Sequence, residues 1–239
     1  MVEIYRHAFR YYWSVLPVLL GAIAVLEVLL WYLEPSNPTV ISTVPTLIIL
    51  YQFHRHFLFG ERMTWGKPPA GAPPQKFGWF ILISLALFLV PVVIGVLVTV
   101  MIAPAGTPKN SIYGLIIIVC LPLYLLGLSM FGTALPASVA RPGNFRMSSG
   151  IKATFGTMGR LILGPGVAQV LLLGLLIVME YLLKDVPAYQ SVAGQLARAV
   201  IITTASFLPS LLGVAVLCHM YQKIMETEAL RQPDAARQP

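Results

Sequence analysis

Six long apolar segments follow one another along the chain, separated by segments rich in charged residues, Gly and Pro. They cover residues 14–33, 39–58, 78–102, 112–135, 161–183 and 199–221. A helix rises 1.5 Å per residue, so about 20 mostly apolar residues cross the hydrocarbon core of a bilayer. The segments are too long for barrel strands and do not alternate polar with apolar residues. The pattern predicts an all-α polytopic membrane protein with six transmembrane helices.

Composition agrees with this prediction. Of the 239 residues, 57% are hydrophobic and 10% are charged, whereas a soluble domain has about 25% charged residues. Such a chain cannot cover a water-facing surface. We predict one transmembrane domain over residues 1–230, followed by a disordered cytoplasmic tail at 231–239.

Basic residues concentrate on alternate connections, which predicts the orientation of the chain. The residues that fall on one side are Arg6, Arg10, Arg55, Arg62, Lys67, Lys76, Arg141, Arg146, Lys152, Arg160, Lys223, Arg231 and Arg237. The other side carries Lys109, Lys184 and Arg198. Cytoplasmic connections carry the excess of Lys and Arg, so both termini are expected in the cytoplasm. The net charge of +7 is therefore a topology signal, and no nucleic-acid partner is predicted.

Two basic segments have the pattern of amphipathic helices. In the connection at 136–160, Ile151, Phe155 and Met158 share one helical face. At the N-terminus, Tyr5, Ala8, Phe9 and Tyr12 form one face, and Glu3, Arg6 and Arg10 form the other. We expect one or two interfacial amphipathic helices here, with ordinary cytoplasmic loops as the alternative.

The segments Phe-Gly-Thr-Ala-Leu-Pro-Ala-Ser-Val-Ala at 131–140 and Ser-Ser-Gly-Ile-Lys-Ala-Thr-Phe-Gly at 148–156 carry a family resemblance. They resemble the bacterial six-span YciC-like proteins and the membrane domains attached to some glycerophosphodiester phosphodiesterases. In that layout a span ends in small residues and proline, and a basic amphipathic helix leads into the next span. The resemblance implies a non-catalytic protein of the bacterial inner (plasma) membrane.

Four polar residues fall toward the outer ends of spans, namely Glu27, Glu180, Gln195 and Arg198. Glu27 is expected about 9 Å deep, and a charge near mid-bilayer costs about 2.5–3.5 kcal/mol, so it needs a partner or water. We predict that Arg198 pairs with Glu27 or with Glu180 inside the bundle. A structural ion pair, a protonated Glu27 and a proton or substrate path remain open.

Proline lies in every apolar segment, and hydroxyl residues accompany two of them. Ser42, Thr43 and Thr46 surround Pro45, and a similar group surrounds Pro209. Such residues either wall a cavity or simply hold helices together.

Three histidines near the cytoplasmic ends of spans suggest a further possibility. His54, His56 and His219 either bind a haem or soft metal as a pair, or reach toward lipid headgroups.

Nucleotide, metal and nucleophile motifs are absent from the sequence, so we predict a non-enzymatic membrane protein without a cofactor. Its expected partners are the bilayer and an anionic lipid or another membrane protein, bound through Arg141, Arg146, Lys152 and Arg160. The alternatives are a small transporter or channel that uses Glu27 and Arg198, and a b-type haem redox protein.

Overall fold

The computed structural model describes residues 2–33, 38–63, 75, 77–103, 108–141, 150–151 and 153–235. Its regular elements are helices, which confirms the all-α class. They are α1 (Val2–Leu33), α2 (Pro38–Phe59), α3 (Phe77–Ile102), α4 (Lys109–Phe131), α5 (Ala134–Ala140), α6 (Thr154–Leu161), α7 (Val167–Leu183), α8 (Pro187–Gln190) and α9 (Val192–Ala235). A π-helical turn, Ile162–Gly166, joins α6 to α7.

Five helices are long and apolar enough to cross a membrane, which supports the multi-pass prediction. They are α1, α3, α4, the continuous segment Thr154–Leu183 that contains α6 and α7, and α9. The helix α2 is not among them, so the sixth span is not confirmed by length and composition. Its second half carries Gln52, His54 and Arg55, which lower its hydropathy.

The position of α2 explains its polar character. It packs against α1, α3, α5 and α9, and Ile49, Tyr51 and Phe53 are buried. By contrast, 22% of the most apolar window of α3 is buried, and that window has a mean hydropathy of 3.1. A helix enclosed by protein can satisfy polar groups on its neighbours, whereas a helix facing lipid cannot. The contacts of α2 with four other helices thus give its polar side chains protein neighbours to pair with.

Contacts between helix ends bring the start of α1, the end of α2 and the later part of α9 together. The Tyr5 hydroxyl donates to the Arg160 carbonyl oxygen at 2.9 Å. The Gln222 amide donates to the Phe57 carbonyl oxygen at 3.3 Å, and the rings of His7 and His56 stack at 5.7 Å. We call this the basic end of the bundle, and the end that holds Glu27 and Glu180 the opposite end.

The fourth apolar segment does not form one helix through residue 135, so that predicted boundary is wrong. The helix α4 ends at Phe131, and after a turn the short α5 packs against α2, α3 and α9 with Ala134–Val139 buried. Gly132 sits at the turn, where a Cβ atom would overlap the Leu128 carbonyl oxygen and the Leu217 side chain. The turn lies inside the protein, so the residues on both sides of it are apolar. The hydrophobic pattern of the sequence therefore gives no sign of where α4 ends.

The two predicted amphipathic segments have different outcomes. The N-terminal segment forms no separate element, because α1 is one helix whose Ala8 and Tyr12 join the core. Phe9 does not share their face and is exposed. The second segment does contain a helix, α6, which continues through the π-helical turn into α7. Pro165 lies in that turn and has no N–H to donate, which favours a local break in α-helical geometry.

The last helix is longer than the sixth apolar segment predicts. It begins at Val192 instead of residue 199 and runs to Ala235, so it enters the segment predicted as a disordered tail. Residues 236–239 lie outside the described part of the chain.

Glycine substitutions in the connection before α7 test this packing. A Cβ atom at Gly150 would lie 2.5 Å from the Met130 carbonyl oxygen, whereas one at Gly156 or Gly159 would meet nothing within 4 Å. We expect Gly150→Ala to lower the free energy of unfolding by about 1–3 kcal/mol through overpacking. Gly156→Ala, the matched control, should leave it unchanged or raise it by up to about 1 kcal/mol. SDS titration of detergent-solubilised protein measures both, and equal effects would contradict the described packing.

Candidate functional site

A cleft of about 300 Å³ opens between α1, α2 and α9 at the opposite end. It is lined by Ile23, Leu26, Glu27, Leu30, Ser42, Pro45, Thr46, Ile49, Thr203 and Phe207. Glu27 contributes a carboxylate and Ser42, Thr46 and Thr203 contribute hydroxyls, while the other side chains are apolar. The structure thus places several of the proline-associated hydroxyl residues around a cavity. Thr204 is buried, and its backbone oxygen accepts a hydrogen bond from Tyr12 at 2.9 Å.

The carboxylate of Glu27 is held by a hydroxyl and not by an arginine. Thr203 donates from Oγ1 to Glu27 Oε1 at 2.8 Å, which joins α1 to α9. In the described part of the chain, the ion pairs are Arg55–Glu61 and Arg198–Glu180, so Glu27 has no cationic partner there. The Glu27 alternative for the partner of Arg198 is therefore wrong.

Arg198 pairs with Glu180, the other predicted partner. Its Nη2 lies 3.0 Å from Glu180 Oε2, and the two side chains are 39% and 48% exposed. The Tyr189 hydroxyl donates to the same carboxylate oxygen at 2.9 Å, and the Arg198 guanidinium lies over the Tyr189 ring at 5.5 Å. Partial burial, and then the hydrogen bond to Glu180, raise the pKa of Tyr189 above its ordinary value of 10, so the phenol keeps its proton at neutral pH.

A second cleft of about 670 Å³ surrounds this ion pair. Gln195 lines it beside Arg198, as their helical spacing predicts, and the Gln195 amide donates to the Gln190 carbonyl oxygen at 3.0 Å. Thr203 belongs to the walls of both clefts. The four predicted intramembrane polar residues therefore fall into two groups, with Glu27 in the first cleft and the other three around the second.

At the basic end, sequence reasoning missed a buried ion pair. The Arg55 side chain is fully buried, and its Nε and Nη2 donate to the two oxygens of Glu61 at 2.6 and 2.5 Å. The guanidinium also lies 5.4 Å from the ring centroid of Phe59 and 5.9 Å from that of Tyr51. In the sequence, Arg55 was counted only among the basic residues of the cytoplasmic side, and no partner was predicted for it.

Gly60 is the sequence feature from which the Arg55–Glu61 ion pair could have been predicted. Its φ of 69° lies in the left-handed region, and its N–H donates to the His56 carbonyl oxygen at 2.8 Å. This is a glycine C-cap, which ends α2 and turns the chain back. A glycine directly after an apolar segment, followed by an acidic residue, predicts that the acid returns toward the last turn of the helix.

The three histidines occupy separate surroundings. His54 is buried, with Nδ1 2.8 Å from the Leu50 carbonyl oxygen and its ring edge-on to Phe80. His56 has Nδ1 2.8 Å from the Glu61 carbonyl oxygen and stacks on the Tyr11 ring at 3.4 Å. His219 lies within electrostatic reach of Arg160. No ring contact among the described residues joins His219 to His54 or His56, so the structure brings no facing pair together there.

The predicted lipid-binding residues are described in part. Arg146 and Lys152 lie outside the described residues. Arg141 is exposed and within electrostatic reach of Tyr221. Arg160 donates from Nη1 to the Met220 sulfur at 2.6 Å, and both Arg160 and Lys223 lie within electrostatic reach of His219. The ion pairs of the described chain do not include Arg141, Arg160 or Lys223, although Glu226 lies within electrostatic reach of His219.

Comparison of the chain with protein-family models, with curated proteins and with solved structures finds no match. The resemblance to the YciC-like proteins stays a prediction.

Substitutions at the Arg55–Glu61 pair test the buried site. Arg55→Met or Glu61→Gln should lower the free energy of unfolding by about 3–5 kcal/mol, because each leaves a buried charge without its partner. The double variant with methionine at both positions should recover most of the loss, since it buries no charge.

The matched control is Glu180→Gln, which breaks the exposed pair with Arg198 and should cost about 1 kcal/mol or less. All four variants are compared by SDS titration. A loss at Glu61 no larger than the loss at Glu180 would show that the pair is not buried in the membrane-embedded protein.

Proposed function

We propose that the protein is a non-enzymatic, six-span integral membrane protein whose basic end binds anionic lipid headgroups on the cytoplasmic side of the bacterial inner membrane. The observation that carries this proposal is that two cationic side chains, Arg160 and Lys223, both lie within electrostatic reach of His219. Their neighbours in the described chain do not include a carboxylate in ion-pair contact. A phosphate headgroup supplies the missing negative charge, and each Lys or Arg near an anionic surface contributes about 1 kcal/mol.

The helix α6 supports an interfacial position for this group. Thr157 and Leu161 are buried against the bundle, whereas Phe155 is 90% exposed and Ile151 is exposed beside it. A large aromatic side chain directed away from the protein, one turn from Arg160, is typical of a helix at the boundary between headgroups and acyl chains. The second predicted amphipathic segment thus acts as the interfacial helix of this proposal.

The first turns of α1 have the same combination of residues. Phe9 and Trp13 are exposed with ring centroids 6.3 Å apart, and Arg6 and Arg10 are exposed on the same helix. Aromatic rings at headgroup level and basic residues on the cytoplasmic side are the two usual markers of that interface. The exposed aromatic and basic residues of α1 and α6 therefore both support a membrane–water interface at the basic end.

The proposal includes α2 as the sixth span. In support, the start of α1 and the end of α2 lie side by side, so the two helices are antiparallel. The later part of α9 reaches the same end, where Gln222 contacts Phe57. This arrangement and the distribution of Lys and Arg support an even number of spans with both termini in the cytoplasm.

Lipid selectivity tests the function. Native mass spectrometry of the detergent-purified protein, titrated with phosphatidylglycerol or phosphatidylcholine, should show preferential binding of the anionic lipid. Arg160→Gln and Lys223→Gln should each weaken phosphatidylglycerol binding by about fivefold, corresponding to about 1 kcal/mol per charge.

Lys184→Gln is the matched control, since it removes one positive charge at the opposite end and should leave the preference unchanged. Equal binding of the two lipids by the unaltered protein, or equal losses in all three variants, would refute the assigned surface.

Accessibility of single cysteines tests the topology. Glu3→Cys, Glu226→Cys and Lys184→Cys place thiols at exposed positions, in a background with Cys120 and Cys218 replaced by alanine. In intact bacterial cells, a membrane-impermeant maleimide should label the thiol at position 184 and not those at 3 and 226. If α2 does not span, the number of spans becomes odd and the thiols at 3 and 226 fall on different sides.

A further inference from the structure

The cleft around Glu27 combines a negative charge with apolar walls. Thr203 uses its hydroxyl hydrogen on one carboxylate oxygen, and the described residues provide no Lys, Arg or His within ion-pair distance of Glu27. Placing a lone carboxylate between membrane helices is costly, and a cation beside it offsets that cost. Among the described residues, the Glu27 side chain thus has no positive partner, and a bound cation can supply one.

The lining of the cleft argues against a divalent metal ion as the occupant. Calcium takes six to eight oxygen ligands and magnesium takes six, usually from several carboxylates. Glu27 is the single carboxylate of the lining, and no group of three or more His, Cys, Asp or Glu side chains forms among the described residues. Most of the other lining residues are Ile, Leu, Pro and Phe, which bind no metal ion.

Apolar walls with a few polar groups suit an organic molecule. Small-molecule sites enclose about 300–1,000 Å³ and are mainly apolar, with a few polar groups that fix orientation. The cleft, at about 300 Å³, lies at the small end of this range. Phe207 adds an aromatic side chain, and aromatic rings attract quaternary ammonium groups.

We propose that this cleft binds a small lipophilic organic cation, a quaternary or protonated amine, with its charged group at Glu27. The apolar body of the ligand then lies against Ile23, Leu26 and Phe207. Thr203 acts as a positioning residue, because its hydrogen bond holds the carboxylate toward the cleft. Neither this ligand class nor this cleft is part of the lipid site at the basic end.

Binding of a cation and of its neutral isostere tests the proposal. The protein is reconstituted in phosphatidylcholine nanodiscs, and equilibrium binding of radiolabelled benzyltrimethylammonium is measured. We expect saturable binding that neopentylbenzene, the uncharged carbon isostere, does not displace. Glu27→Gln should weaken binding at least tenfold, and Thr203→Val should weaken it severalfold.

Two further variants separate a specific site from general effects. Glu180→Gln removes a carboxylate at the same end but outside this cleft, and binding should stay within twofold of the unaltered protein. Thr46→Phe fills the cleft and keeps Glu27, so it should abolish binding even if Glu27→Gln fails to fold.

Absence of saturable binding, displacement by the neutral isostere, or equal affinity in the Thr46→Phe variant would each overturn the proposal. The lipid preference measured at the basic end does not depend on any of these outcomes.

Discussion

The bidentate ion pair between Arg55 and Glu61 is the constraint on which the rest of the bundle depends. It lies at the end of α2, the helix that four other helices surround. An unpaired arginine in such a place costs several kcal/mol of desolvation, so α2 could not end inside the protein without a carboxylate beside it. The positive φ at Gly60 returns the chain and delivers that carboxylate. With the charge satisfied, Tyr51 and Phe53 of the same helix can pack inward.

This pair also shows where the sequence was informative and where it was not. The five helices that are long and apolar enough to cross a membrane were predicted from length and apolarity, because hydrocarbon solvent imposes both on any helix exposed to it. The helix α2 contacts four other helices and carries polar residues that these neighbours can satisfy, so hydropathy is less decisive for it. The burial of Arg55 was not predicted, since a positive-inside pattern does not distinguish a headgroup-facing cation from a buried one.

The sequence predicted how far each candidate residue lies from the end of its helix, but not which neighbouring helix its side chain faces. Counting residues along a helix gives the distance from its end, and this correctly grouped Glu27, Glu180 and Arg198 near the opposite end. It does not fix how each helix is rotated or which neighbour it meets. The choice between Glu27 and Glu180 as the partner of Arg198 depends on that rotation, and so does the contact of Glu27 with Thr203. The end of α4 at Phe131 was unpredictable for another reason, since an internal turn leaves the apolar pattern intact.

The π-helical turn at Ile162–Gly166 has a consequence for how α6 and α7 are related. Such a turn accommodates one extra residue, and each residue of an α-helix advances the direction of the side chain by about 100°. Side chains of α7 therefore emerge about 100° away from the directions that an unbroken helix beginning at Thr154 would give them. A helical wheel drawn through the whole of Thr154–Leu183 assigns one of the two halves to the wrong side. Phe155 lies before this turn and is exposed, and Gly164 lies within it against the Tyr5 ring, so the sides that α6 and α7 present to their surroundings are related through the turn and not through one helical repeat.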